Sequence, residues 1–180
     1  ERAFLEHARH AGAETWPGWG DRDFRKPDRE ENPERMMAWL RQLPKPCGVF
    51  TCTDGWARPV ARYAQQAGLR VPDDLAIVGA GNDTLECELI SPPLSSVIIP
   101  WQELGRNAAG LVRLALSNRA IAGKCVVVSP IGVTARRSSD GVAIQDPLVA
   151  EAVRWIRAKA GRRITVPMVA GALGGGRQRL

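Results

Sequence analysis

Residues 68–100 read GLRVPDDLAIVGAGNDTLECELISPPLSSVIIP, and this stretch decides the fold. Gly68 follows a helical pattern at the place of a helix C-cap. Pro72-Asp73-Asp74 is a turn, because proline presets φ and aspartate side chains bond nearby amides. Leu75 to Val78 is a short apolar run closed by Gly79, the pattern of a buried parallel strand. The polar loop Gly81-Asn82-Asp83-Thr84 comes next, at the strand's C-terminal end, where open α/β sheets hold their ligands. Pro92-Pro93 breaks the chain, and Leu94 to Ile99 reads as a second strand.

The alternation continues on both sides. Residues 1–11 read as a helix and 12–15 as a short strand or its approach. Residues 16–33 are polar and proline-bearing, a loop. Met36, Met37, Trp39, Leu40 and Leu43 line one side of a helix that Pro44 and Pro46 end. Gly48 to Cys52 is a strand, and Thr53 or Asp54 caps a helix reaching Ala67 with Val60, Tyr63, Ala64 and Ala67 inward. Trp101 to Asn118 predicts a helix with Leu104, Ala108, Leu111, Val112 and Ala115 buried. Cys125 to Ser129 predicts a last strand, with an extended segment to Arg137. Strand and helix alternate, so the fold class is α/β with a mostly parallel sheet covered on both faces.

The 180 residues have room for one domain and part of another. No run approaches the roughly 18 apolar residues of a membrane span. The first residues, ERAFLEHARH, are charged and helical and lack a signal-peptide core. The chain does not begin with methionine and reads as an internal fragment of a longer, cytoplasmic protein. Cys47, Cys52, Cys87 and Cys125 offer no C-x-x-C pair, and His7 and His10 are the only histidines. A metal site is therefore not expected, and the thiols read as buried groups in a reducing compartment. No Ser-His-Asp, Cys-His or paired-carboxylate arrangement is legible, so the chain reads as no enzyme and needs no cofactor.

Charge divides the chain. Residues 147–180 hold seven basic side chains against one acid, Glu151, so this tail carries the whole net charge of +6. A neutral body with a compact basic end suits a ligand-binding body joined to a polyanion-binding end; the plainer reading is a solvated helix face. Residues 138–145, SSDGVAIQ, read as a linker between the body, 1–137, and the tail, 146–180. Asp146-Pro147 opens a helix as N-cap and first helical residue, and Val149, Val153, Ile156 and Ala160 form its apolar face. Gly161 ends it, and Thr165 caps a second helix, Val166 to Leu173. Ala170, Gly174 and Leu180 sit at the offsets of a helix-turn-helix: a small contact residue, a turn tolerant of positive φ, and an apolar residue facing back.

The block 68–100 resembles the sugar-responsive repressors of the lac-repressor type, in which a VPxD turn, a strand, a ligand loop and a PPL-[ST]-[ST]-V segment follow in that order. The tail DPLVAEAVRWIRAKAGRRITVPMVAGALG resembles the first subdomain of arabinose-regulator-type (AraC) DNA-binding domains. Together they resemble the xylose-operon regulators. Thr53-Asp54 with Ala57 and Arg58, Gly79 with Asn82, Leu94-Ser-Ser-Val97, Arg136-Arg137-Ser138 and Asp146-Pro147 all match phrases of that family.

The resemblance implies a periplasmic-binding-protein-like (type I) effector domain, N-terminally incomplete, followed by a truncated all-α helix-turn-helix segment. An incomplete lobe is expected to expose apolar surface. The resemblance also implies a sugar effector such as a pentose, operator DNA as partner of the full-length protein, a homodimer and no membrane association. The candidate ligand residues are Thr53, Asp54, Asn82 and Asp83, expected around one crevice, with Trp19 over it. Arg177, Gln178 and Arg179 are the candidate DNA contacts at the start of a recognition helix. The chain departs from the family at Gly81, where an aspartate is usual, and at Gly175-Gly176.

Some readings stay open in the sequence. Trp16 and Trp19 flank a Pro-Gly turn and suit either a sugar-stacking face or a hydrophobic plug. Asp54 suits a hydroxyl ligand, a helix N-cap, or both. Arg58 suits an ion pair or a lobe interface. Gly79-Ala80-Gly81 looks like the start of a dinucleotide fingerprint, but Thr84 stands at the third glycine. The alternatives to a regulator are a periplasmic-type sugar-binding protein without DNA binding and a doubly wound α/β enzyme.

Overall fold

The computed structural model describes residues 2–16, 32–117, 123, 125–141 and 146–174. They fall into two compact units, residues 1–141 and 142–180. In the first, helix α1 (Arg2–His10) precedes α2 (Pro33–Gln42), β1 (Cys47–Phe50), α3 (Asp54–Gln66), β2 (Leu75–Ala80) and α4 (Thr84–Leu89). Then come β3 (Ser95–Ile98), α5 (Trp101–Leu116), β4 (Gly132–Thr134) and a single 3-10 turn, Arg137–Ser139.

The four strands form one sheet in the order β1-β2-β3-β4. β1 pairs with β2 in parallel, Cys47 opposite Leu75, and β2 with β3 in parallel, Val78 opposite Ser95. The apolar run 75–78 is a parallel strand as read, but its burial alternates: Leu75 and Ile77 are fully buried while Ala76 and Val78 are only partly covered. Helix α3 lays a ridge of small residues, Ala57, Ala61 and Ala64, with Val60, on the sheet. Small side chains let the helix approach closely, and Leu40 and Met36 of α2 close the far side. Each large apolar side chain taken fully from water here contributes about 1.5–3 kcal/mol. Asn32 caps α2 by accepting from Arg35 N at 2.9 Å.

The last strand is displaced from its expected place. Residues 125–130 form no strand, and Val127 is 84% exposed. Pairing begins only at Ile131, whose amide donates to Ile98 O, and β4 then runs antiparallel to β3. An apolar run such as CVVV has strand propensity, but a strand exists only where a neighbouring edge takes its hydrogen bonds. Residues 13–16 likewise form no strand. Helix α5 forms as read, yet none of its residues is buried, with Leu104, Val112 and Leu116 exposed. Of the face expected to pack inward, only Leu111 is partly covered.

The body also reaches further than expected. Ser138, read as the first linker residue, is completely buried. Its hydroxyl donates to Ile77 O (2.6 Å) and accepts from Ser95 N (2.8 Å), so it bridges β2 and β3.

In the second unit α6 (Pro147–Ala158) packs against α7 (Val166–Ala172). Asp146 caps α6, its carboxylate accepting from Leu148 N and Val149 N. Ala152, Val169 and Ala170 are the buried residues. Ala170 is buried, but the contact expected of it, with a helix after Gly174, lies outside the described residues; Val149 and Ile156 remain over 40% exposed. Small side chains such as Ala152 and Ala170 let two short helices approach closely. Gly161 and Gly174 both have positive φ at the two helix ends. No helix among the described residues is long and apolar enough to cross a membrane.

Candidate functional site

Parallel pairing puts the C-terminal ends of β1, β2 and β3 side by side, and each strand is followed there by a loop that opens a helix. The β1 loop carries Thr51 to Thr53, the β2 loop Gly81 to Asp83, and the β3 loop ends at Trp101. Splayed loops at the carboxyl edge of a parallel sheet make the crevice in which such folds bind small molecules.

A buried carboxylate organises these loops. Asp54, the first residue of α3, is 2% exposed. Its Oδ2 accepts from Asp83 N at 2.8 Å and its Oδ1 accepts from Ser96 Oγ at 2.6 Å. The Ser96 hydroxyl in turn accepts from Asn82 N at 3.0 Å. One side chain thus ties α3 to the β2 loop and to β3. Thr53, not Asp54, holds the N-cap position, and each Asp54 oxygen accepts a hydrogen bond from the protein itself.

The approach of Asp54 explains two glycines. A methyl group at Gly79 would stand 2.2 Å from Asp54 Oδ1, an impossible contact with a buried, doubly bonded carboxylate. Gly81 has φ +125°, and a methyl there would lie 3.1 Å from Asp54 Oδ2. The family's aspartate at that position would need a different loop path. Here the backbone does the work instead: Gly81 N donates to Val97 O, and Gly81 O accepts from Trp101 Nε1 at 3.0 Å.

The other expected residues fall as follows. Thr53 is exposed at the β1 loop. Asn82 is half-buried with φ +53°, a left-handed conformation that asparagine tolerates better than most residues. Its Oδ1 accepts from Arg136 Nη1 at 3.1 Å. Asp83 is exposed, and its Oδ1 accepts from Leu85 N and Glu86 N, capping α4. Thr53, Asn82 and Asp83 therefore share one edge, with Asp54 beneath them. Arg58 pairs with Glu86 (3.8 Å), the ion-pair alternative. Trp19, Arg177, Gln178 and Arg179 lie outside the described residues.

Sequence reasoning missed Trp101, 58% exposed, whose indole is bonded into the ligand-loop edge. It also missed the hub at Arg136. The signal for Trp101 was present, an apolar aromatic immediately after a strand at its C-terminal end, but its helix position masked it. Cys87, fully buried under the loop, has its thiol pushed up to about 11, first by burial and then by the negative charge of Asp54. It is a packing residue. Among the described residues no group of histidine, cysteine and carboxylate side chains could hold a metal ion.

An edge with hydroxyl, amide and carboxylate groups and an exposed indole has the chemistry to bind a polyhydroxylated molecule. Comparison with known proteins agrees with the fold. The chain is 33% identical over 139 residues to the xylose operon regulatory protein of Haemophilus influenzae, covering 77% of this chain and 36% of that protein. It is 32% identical over 146 residues to the Escherichia coli K12 protein of the same name, covering 81% and 37%. It thus spans little more than a third of the length of these relatives. A solved xylose-binding transcription activator superposes with a TM-score of 0.62 at 31% identity, over 82% of this chain and 39% of that one. A transcriptional regulator solved with cellobiose superposes with a TM-score of 0.59 at 25% identity, over 77% and 41%. The sequence pattern of the periplasmic binding protein-like domain matches residues 1–139, and the chain belongs to that family.

Proposed function

We propose that residues 1–141 are part of the effector-binding domain of a sugar-responsive transcription regulator, and that residues 146–180 belong to its DNA-binding domain. The observation that carries the reading is the edge itself. Thr53, Asn82, Asp83 and Trp101 meet at the C-terminal ends of adjacent parallel strands, offering hydroxyl, amide and carboxylate groups beside an aromatic face. Sugars need that combination, since their hydroxyls require donors and acceptors and their C–H faces pack on aromatic rings. The similarity to xylose operon regulatory proteins supports a pentose as the first ligand to try.

The tail supports the second half. α6 and α7 pack through Ala152, Val169 and Ala170, with positive-φ glycines at both helix ends, an arrangement that suits the first two helices of a helix-turn-helix. Arg177, Gln178 and Arg179 follow in sequence at the place of a recognition helix, where arginine pairs with guanine and glutamine with adenine. The regulator acts as a cytoplasmic homodimer in which the effector shifts the equilibrium between two arrangements of the DNA-binding ends.

Calorimetric titration of the full-length protein with D-xylose, D-ribose and cellobiose tests the first half. Gel-shift titration against its own promoter DNA tests the second. The reading expects saturable sugar binding and retardation that falls steeply with salt, as counterion release demands. Binding of sugar without DNA retardation at low salt would leave a sugar-binding protein and remove the regulator.

A further inference from the structure

The Asn82–Arg136 contact joins residues 54 apart in sequence, and it connects the ligand-loop edge to the segment from which the chain leaves the body. Arg136 has a mostly buried side chain with three kinds of partner. Its Nη1 donates to Asn82 Oδ1 (3.1 Å) and Leu94 O (2.8 Å), and its Nε donates to Glu88 Oε1 (3.0 Å). Its backbone is clamped as well: Arg136 N donates to Ser95 Oγ (2.7 Å) and Ser95 Oγ donates to Arg136 O (2.9 Å). Ser139 Oγ also donates to Ser95 Oγ (2.7 Å), and Ser138 N donates to Pro93 O (2.9 Å). With Ser138 Oγ bridging Ile77 O and Ser95 N, residues 136–139 are stitched to the same two strands that carry the ligand loop.

Two features make Asn82 the sensitive end. Its left-handed backbone is sparsely populated by residues other than glycine, so its conformation is held by its bonds. Those bonds are the Ser96 hydroxyl behind it and the Arg136 guanidinium beside it. A ligand hydroxyl that competes for the Asn82 amide oxygen, or fixes its orientation, changes one bond of Arg136 directly. The Arg136 side chain cannot re-aim alone, because Leu94 O and Glu88 hold the rest of its planar fork.

Resting on the regulator reading above, we infer that Arg136 is a positioning residue that couples effector occupancy at Asn82 to the exit segment 136–141, and through it to the DNA-binding tail. It does not contact the effector. Residues 140 and 141 follow the 136–139 clamp at the C-terminal end of the first unit, and in sequence they precede Asp146 and α6.

The test uses the full-length protein and whichever of D-xylose, D-ribose and cellobiose the wild type binds by calorimetry. Operator affinity is measured by anisotropy with and without that sugar at saturation, for wild type, Arg136→Lys and Glu88→Gln. Lysine keeps the charge but loses the fork; Glu88→Gln removes the ionic charge while its side-chain oxygen can still accept from Arg136 Nε, so the fork stays held. The expected result is sugar affinity within about threefold of wild type in Arg136→Lys, with the sugar-induced change in operator affinity reduced to less than about twofold. Glu88→Gln keeps the wild-type change. A full response in Arg136→Lys, or equal losses in both variants, overturns the inference. A wild type that binds neither sugar nor DNA overturns the regulator reading and this inference with it. If Arg136→Lys does not fold, Ser95→Ala, which removes the hydroxyl clamping the Arg136 backbone and Ser139 and leaves the Asn82 side chain in place, is held to the same loss of response.

Discussion

The Asp54 carboxylate accepts the backbone amide of Asp83 at 2.8 Å, across 29 residues, with no solvent access to the side chain. The N-terminal turn of α3 and the loop after β2 are therefore one unit, and the candidate binding edge depends on a residue that does not face it. A charge-assisted hydrogen bond of this kind contributes about 1.5–3 kcal/mol.

Asp54→Asn tests that dependence. The amide keeps the shape but loses the charge: its oxygen can still accept from Asp83 N–H without charge assistance, and its NH2 faces the Ser96 hydroxyl, which must change from donor to acceptor. The expected cost is about 2 kcal/mol in urea denaturation, with weaker sugar binding because the Asn82-Asp83 backbone loosens. Unchanged stability would mean that the carboxylate does not hold the loop.

Gly79→Ala attacks the same contact from the other side. Its methyl would meet Asp54 Oδ1 at 2.2 Å and Leu94 Cδ2 at 3.0 Å. Neither neighbour has space to retreat, so destabilisation of about 2–3 kcal/mol is expected. Gly48→Ala, where nothing lies within 4 Å, is the control and should change the thermal midpoint little.

Trp101→Ala should lower effector affinity about tenfold, the loss of an aromatic face worth roughly 1.5 kcal/mol. Trp101→Phe should restore most of it, since the face returns and only the bond to Gly81 O is missing. Both variants should retain near-normal stability because Trp101 is mostly exposed. Calorimetry on the two variants, with equal affinities as the adverse outcome, decides whether the ring or its N–H matters.

Cys87 gives a pH-dependent expectation. Its thiol is raised in the folded protein from about 9 to about 11. Below about pH 9 it is protonated in both states and adds no pH dependence. As pH rises from about 9 towards 11, the unfolded chain releases a proton that the folded protein retains, so stability falls. Cys87→Ala should flatten that part of the stability curve in alkaline denaturation. Alkylation mapped by mass spectrometry should label exposed Cys52 at neutral pH and leave Cys87 unmodified until unfolding.

Asp146→Ala should cost the second unit about 1 kcal/mol, the usual value of an N-cap. Hydrogen exchange at Leu148 and Val149, whose amides the Asp146 carboxylate accepts, should speed up first. No acceleration there would show that α6 is held by its packing on α7 alone.

Local chemistry made much of the architecture legible from residues alone. Proline and aspartate at 72–74, the apolar run 75–78 and the Asp146-Pro147 start are short-range signals, because turn geometry, strand propensity and capping depend on neighbours within a few positions. The same locality placed Thr53, Asn82 and Asp83 at strand ends. Tertiary structure alone decided the rest. Whether CVVV becomes a strand depends on which edge lies beside it, and β4 took the edge of β3 at Gly132–Thr134 instead. Whether Asp54 meets a ligand or a backbone amide depends on how closely α3 approaches Gly79. Trp101 and Arg136 reach the site because parallel pairing brings β3 next to β2 and antiparallel pairing returns β4 alongside, contacts of 20 and 54 residues' separation that no local pattern encodes.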